Sequence, residues 1–166
     1  FIVHRLDKET SGVLIVAKNR EYAQLFTSLF RIRKIHKTYI ALTHGKVSKD
    51  LKTMKDDLIT IDNGKRIIQK AISHVRLLKI TSDYSYVELN PITGRKHQLR
   101  KQLYNIGNPI VGDDKYFTNR RADKIKMKGK NLLLHAYKIK FMINNIQYKF
   151  KAEYDNEFEN FLKKHF

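Results

Sequence analysis

The sequence contains no cysteine, only two prolines and only seven glycines in 166 residues. Without cysteine, disulfides and thiolate metal sites are excluded, and a reducing compartment is compatible. With so little Pro and Gly, no linker or low-complexity segment is visible, so residues 1–166 read as one domain with one core. No apolar run approaches the roughly 18 to 20 residues a membrane-spanning helix needs, and no signal-peptide pattern opens the chain. Acidic residues are scarce: 16 Asp and Glu face 34 Lys and Arg, a formal net charge of +18. Such an excess repels itself in a compact globule unless a polyanion offsets it, so nucleic acid is the expected partner. A membrane surface is not expected, because neither end is an amphipathic or polybasic segment.

Three short stretches concentrate reactive side chains. His4-Arg5-Leu6-Asp7-Lys8-Glu9-Thr10-Ser11-Gly12 is a polar loop between apolar runs. Arg5 and Lys8 favour a charged Asp7, which could serve as nucleophile or base. By residue pattern alone, a turn Asp in a surface ion pair is the commoner outcome. Pro91-Ile92-Thr93-Gly94-Arg95-Lys96-His97-Gln98-Leu99-Arg100 runs from a strand end into a helix start. Free N–H groups and guanidinium forks favour anions there, although a basic helix start with no specific ligand fits equally well. In Lys37-Thr38-Tyr39, the Tyr reads as core packing or as a base-stacking ring. The seven His residues lack metal-ligand spacing, so no metal site is expected. Gly107 to Asp114 lacks the phosphate-loop and dinucleotide fingerprints and reads as a loop beside the site.

In this order and spacing, the stretches resemble the RluA family of pseudouridine synthases. Residues 4–12 resemble its HRLDxxTSG motif, Lys37-Thr38-Tyr39 its K-x-Y motif, and residues 93–100 its TGRxHQ(L/I)R motif. Gly107-Asn108-Pro109-Ile110-Val111-Gly112-Asp113-Asp114-Lys115-Tyr116 and Leu132-Leu133-Leu134-His135-Ala136 resemble two further family segments. The resemblance implies isomerisation of uridine in structured RNA, without a cofactor. It implies Asp7, Tyr39 and Arg100 as catalytic residues, with Arg100 hydrogen-bonded to Asp7. His4, Arg5, Thr10, Thr93, Gly94, Arg95, His97 and Gln98 are then expected to contact substrate. Large-subunit ribosomal RNA is the expected substrate, with transfer RNA open. A non-catalytic RNA-binding or ribosome-assembly module is the rival reading. The family's usual N-K-P-x-G segment and separate N-terminal RNA-binding module are absent from this sequence, so a catalytic-domain fragment lacking N-terminal strands is expected. It is expected to be monomeric and cytoplasmic.

The fold class expected is α+β, a mostly antiparallel mixed sheet with a few flanking helices. Phe1-Ile2-Val3 reads as mid-strand, and Gly12 to Ala17 as a strand buried on both faces. Asn19 is expected to cap a helix over 20–33 whose core face holds Tyr22, Ala23, Phe26, Leu29 and Phe30. Strands are expected over 37–42, 71–80 and 84–90, with a weak pattern over 46–70. A short helix should end at Gly107, and a hairpin should turn at Asn144-Asn145. A last helix should start from a capping box of Asn156 with Glu159. The basic stretch 120–130 reads as a solvated loop that touches RNA.

Overall fold

The computed structural model describes residues 1–117 and 131–166; the basic stretch 120–130 lies outside them. Among the described residues, a seven-stranded sheet carries three helices, the α+β class expected. The strands are β1 (Ser11–Gly12), β2 (His36–His44), β3 (Thr53–Asp62), β4 (Lys65–Ile80), β5 (Tyr84–Pro91), β6 (Leu134–Ile143) and β7 (Ile146–Lys151). The helices are α1 (Arg20–Arg31), α2 (Gln98–Asn105) and α3 (Asn156–His165). The order is β1-β6-β2-β5-β4-β3, with β7 also on β6, and every pairing is antiparallel except β1 with β6.

Alternation along β2 splits the core. Tyr39 and Ala41 face one side, where α2 buries Leu99 and Leu103 against Val87, Leu89 and Val75. Ile40 and Leu42 face the other, where α3 buries Phe158 and Phe161. Helix α1 lies on the first side and seals Ile139 and Phe141 with Phe26. The turns follow their chemistry: Asn63-Gly64 and Asn144-Asn145 all have positive φ, the backbone that a two-residue type I′ hairpin loop requires.

Five expectations change. Gly12 to Ala17 is mostly not strand, and Leu14 and Val16 are 48% and 58% exposed. Val13 and Ile15 pack inward against the α1 cluster and Ala17 is buried, so alternate residues share one inner face; a continuous apolar run cannot by itself distinguish one buried face from two. Likewise, Phe1-Ile2-Val3 makes a single bridge, Ile2 to Val16. Residues 53–70 form long hairpin strands whose outer half is solvated on both faces; Ile61 and Ile68 are 76% and 69% exposed. Without a buried face there is little alternation to read. The α3 cap is Asp155, whose carboxylate accepts from the Phe158 N–H at 2.8 Å. It sits one residue before the expected Asn156, because Asp and Asn compete equally for that position. In α1, Asn19 caps as expected, but Tyr22 is half exposed.

Gly12 sets how closely the Asp7 loop approaches the sheet. Its φ is +112°, and a Cβ there would collide with the backbone carbonyl of Ala136. Adjacent Ser11 Oγ hydrogen-bonds His135 Nδ1 at 2.8 Å, so the loop is docked flat on β6. Gly12→Ala should lower unfolding free energy by about 2–4 kcal/mol through strain and displaced backbone, measured by urea denaturation; an unchanged midpoint would show that the close approach is dispensable.

Candidate active site

A cleft of about 770 Å³ opens between the Asp7 loop, the end of α1, β2 and the turn before α2. The motifs from residues 4–10, 37–39 and 93–99 line it together, although they are far apart in sequence. Six of its lining residues are cationic (Arg5, Arg31, Arg33, Lys37, Arg95 and Lys96), and Asp7 is the one carboxylate among them. The side chain of Asp7 is 22% exposed, so it is reachable yet mostly walled in.

The loop is fastened on both sides of Asp7. The Ile15 N–H donates to His4 Nε2 at 2.8 Å, and the His4 ring lies 4.8 Å from that of Phe30. Burial, and then the charge of Lys37, lowers the His4 pKa to about 4, so the ring is neutral and its Nε2 accepts. His4 therefore holds the loop and has that nitrogen committed, although it also lines the cleft. The Thr10 N–H returns to the Asp7 carbonyl at 3.0 Å. Among the described residues, the Thr10 hydroxyl is buried without a hydrogen-bond partner, so it does not face the open cleft although Thr10 is among the lining residues.

Tyr39 reaches the cleft floor from β2. Burial, and then the negative charge of Asp7, pushes its pKa up to about 12, so it stays a phenol at neutral pH. Lys37, two residues earlier on the same face, has its pKa lowered by burial; its ammonium lies beside Gly94 on the facing wall.

The expected contacts of the third motif divide into framework and wall. Thr93 and Gln98 are buried, and their polar atoms are used internally. The Thr93 hydroxyl donates to Gln98 Oε1 at 2.7 Å and accepts from the Ile72 N–H at 2.9 Å. Gln98 Nε2 donates to the Ile72 carbonyl at 3.1 Å and to Ser73 Oγ at 2.8 Å. These bonds tie the start of α2 to β4. Arg95 and Gly94 stay on the wall, with Arg95 Nε donating to the Lys70 carbonyl at 3.2 Å.

The expected hydrogen bond between Arg100 and Asp7 is not what forms. Arg100 is buried and donates from Nε and one terminal nitrogen to the two oxygens of buried Asp113, both at 2.7 Å. A guanidinium fork matches one carboxylate at a time, and Asp113 faces it squarely. The hydrogen bonds that Arg100 donates to Asp113 hold its pKa above the ordinary value, and the charge of Asp7 adds to this from a distance. For Asp113, burial works against the charged form. The Arg100 fork and the backbone N–H groups of Tyr116 and Lys115 outweigh burial and hold the pKa below the usual range.

What stands beside Asp7 is His97. Its Nε2 lies 4.0 Å from Asp7 Oδ1, and its Nδ1 shares a hydrogen bond with the Tyr116 hydroxyl at 2.9 Å. Burial lowers the His97 pKa; the pull of Asp7 is opposed by Arg100, Lys115 and Lys96. The Tyr116 ring also lies 5.2 Å from the Arg100 guanidinium. Asp113, Tyr116 and Lys37 are the site residues that sequence reasoning did not assign. The available signal was Asp113 followed at two and three positions by N–H groups that its side chain caps, the pattern of an Asx turn.

A family model described as RNA pseudouridylate synthase matches residues 1–105. The chain belongs to the RNA pseudouridylate synthase family. Ribosomal large subunit pseudouridine synthase C of Rickettsia bellii is 40% identical over 83% of this chain and 48% of its own length. Ribosomal large subunit pseudouridine synthase D of Borreliella burgdorferi is 36% identical over 97% of this chain and 51% of its own. These relatives place it in the RluA branch. The tRNA pseudouridine synthase C of Haemophilus ducreyi is 35% identical over 85% of the chain and 66% of its own length. The chain thus spans about half the length of the large-subunit relatives it matches. Among solved structures, human RNA pseudouridylate synthase domain containing 4 superposes with a TM-score of 0.81 at 27% identity, over 98% of this chain and 74% of that one.

Two outcomes follow from this geometry. Asp113→Ala should cost about 3–5 kcal/mol, because it leaves Arg100 buried and unpaired; thermal unfolding measures it, and a loss within experimental error would make the pair dispensable. For His4, the folded pKa of about 4 lies below the ordinary 6.5, so the unfolded chain binds more protons between the two. The contribution is complete above 6.5 and is lost as pH falls through 4. Because the ring is partly exposed, it should be about 1–2 kcal/mol. His4→Gln should show a correspondingly smaller loss of stability on acidification in denaturation series across that window.

Proposed function

We propose that this protein isomerises uridine to pseudouridine in structured RNA, with large-subunit ribosomal RNA as its substrate. The observation that carries the reading is a single carboxylate, Asp7, held in a cleft whose other charged lining residues are cationic. Phosphates on both sides of a target nucleotide can be neutralised there while one anion meets the reacting sugar and base. The names of the relatives support ribosomal RNA, and one of them supports transfer RNA as the second candidate.

In this reaction the N1–C1′ bond breaks, the uracil rotates, C5 bonds to C1′, and the C5 proton leaves while N1 gains one. The product is an isomer and no electrons are exchanged, so the chemistry requires no cofactor. The target base must first leave the stack. Arg5, exposed at the rim, fills the vacated space or holds the backbone. Asp7 supplies the reacting anion, by attack on C1′, addition to the ring, or removal of a sugar proton. Tyr39 stacks on the uracil; a phenol that resists ionisation suits stacking better than proton removal. Arg100 acts from behind its Asp113 clamp, adding a fixed positive charge near Asp7 without a direct bond. Thr10, in the cleft lining, and His97, beside the carboxylate, contact the nucleotide. Thr93 and Gln98 shape the wall on which Gly94 and Arg95 meet the phosphates. The protein acts as a monomer in the cytoplasm.

Asp7→Asn should abolish pseudouridine formation, read as carbodiimide-dependent reverse-transcription stops on large-subunit ribosomal RNA. RNA affinity should stay within about twofold, since removing one negative charge does not weaken phosphate contacts. Residual turnover at the wild-type rate, or equal loss of binding and turnover, would remove Asp7 from the chemistry.

A further inference from the structure

The cleft uses one face of the sheet, and the other face has an open end as well. On β2, Lys37 and Tyr39 point to the cleft, while His36 and Thr38 point to the opposite side. Helix α3 covers that side over Ile40 and Leu42 and leaves the His36–Thr38 end as a second groove of about 770 Å³. Strand register fills this groove with cations. Thr38 pairs with Lys138, which pairs with Lys151; His36 pairs with Lys140, which pairs with Lys149. Four lysines thus form a two-by-two array. Its steps are about 5 Å across strands and about 7 Å along them, on the scale of successive phosphates in an extended nucleic-acid strand. Among the described residues, no carboxylate lines the groove. Lys151 pairs with exposed Glu153 at 3.1 Å, and the Lys138 and Lys151 ammoniums lie 5.0 and 5.3 Å from the Tyr137 ring. The array keeps a net positive charge, which repels itself until an anion fills the groove.

The floor suits the same ligand. Asn90 Nδ2 donates to Thr38 Oγ1 at 3.0 Å, which sets a polar floor with His74 next in register. The groove is continuous with the cleft: Arg33, Ile35, Lys37, Pro91 and Ile92 line both. A strand leaving the cleft needs only to pass over the start of β2 to enter it.

We propose that this back-face groove is a second RNA-binding site, which holds the phosphate backbone of single-stranded nucleotides flanking the target as they leave the cleft. The inference rests on RNA as the occupant of the cleft. It extends that reading to the substrate's shape: a folded target with an unpaired flank, bound on both faces of one sheet.

The test is the double variant Lys140→Gln/Lys149→Gln; both lysines are exposed and lie outside the cleft lining. Fluorescence anisotropy across a salt series would use two transcripts of large-subunit ribosomal RNA: a stem-loop with single-stranded flanks, and the same stem-loop trimmed of them. For the flanked RNA, the variant's slope of log affinity against log salt should be shallower by about 1.4, two contacts at about 0.7 each, and affinity should fall roughly tenfold. Binding of the trimmed RNA should not change. Equal slopes for variant and wild type on flanked RNA would overturn the proposal, as would equal losses on both transcripts. Unchanged RNA binding with lost binding of a polyglutamate probe would assign the groove to an acidic protein instead, and also overturn it. Since the readout is binding, a wild-type protein that keeps the flank-dependent slope but modifies no uridine retains the groove and rejects only the proposed reaction.

Discussion

The buried pair of Arg100 and Asp113 is the contact on which the site's geometry depends. Its two bonds of 2.7 Å join the first turn of α2 to the segment after Pro109, and neither side chain reaches solvent appreciably. Around it, Tyr116 is placed by its own N–H bond to Asp113 and lies against the guanidinium. The Tyr116 hydroxyl then fixes His97, and His97 stands beside Asp7. A salt bridge in the interior gains little net free energy once desolvation is counted, but it is costly to break. Its value here is positional: one rigid fork orients an aromatic ring, an imidazole and, through them, the environment of a carboxylate.

The charge pattern has a second consequence. A lone anion among cations must be kept from collapsing onto the nearest one. Asp113 occupies the fork of Arg100, and Lys37 is set back in the β2 wall with its charged form disfavoured by burial. Among the described residues, Asp7 is thereby left without a tight ion-pair partner; His97 Nε2 lies 4.0 Å away, on a ring whose charged form is itself disfavoured. A carboxylate whose lone pairs are not already used can turn toward a substrate atom. On the proposed function, phosphates entering the cleft would neutralise the surrounding cations, and substrate binding and exposure of the anion would favour each other.

Much of this was legible in the sequence. The strands with one buried face, β2 and β5, and the hairpin at Asn144-Asn145 follow from alternation and turn chemistry. The grouping of Asp7, Tyr39 and the 93–100 stretch follows from the motifs. What escaped depends on contacts without a local signature. The β3–β4 hairpin is solvated on both faces at its outer half, so no period marks it. Gln98 and Thr93 carry side chains that read as ligand contacts, yet the neighbouring backbone of Ile72 and the Ser73 hydroxyl consume them. Arg100 has three acidic residues within its electrostatic reach: Asp7, Asp113 and exposed Asp114, whose Oδ1 lies 3.6 Å from one terminal nitrogen. Which of them takes the fork is decided by the turn that aims Asp113, and no motif encodes that.

The docking of Ser11 and Gly12 on His135 and Ala136 also bears on assembly. The two pairing segments are 124 residues apart, and joining such distant positions carries a loop-closure entropy that other contacts must offset. The Asp7 loop therefore has no seat until β6, 124 residues further along, has formed and joined β2. Closing the cleft is a long-range step of folding, and the helices and hairpins that build its other walls can form from nearer contacts before it.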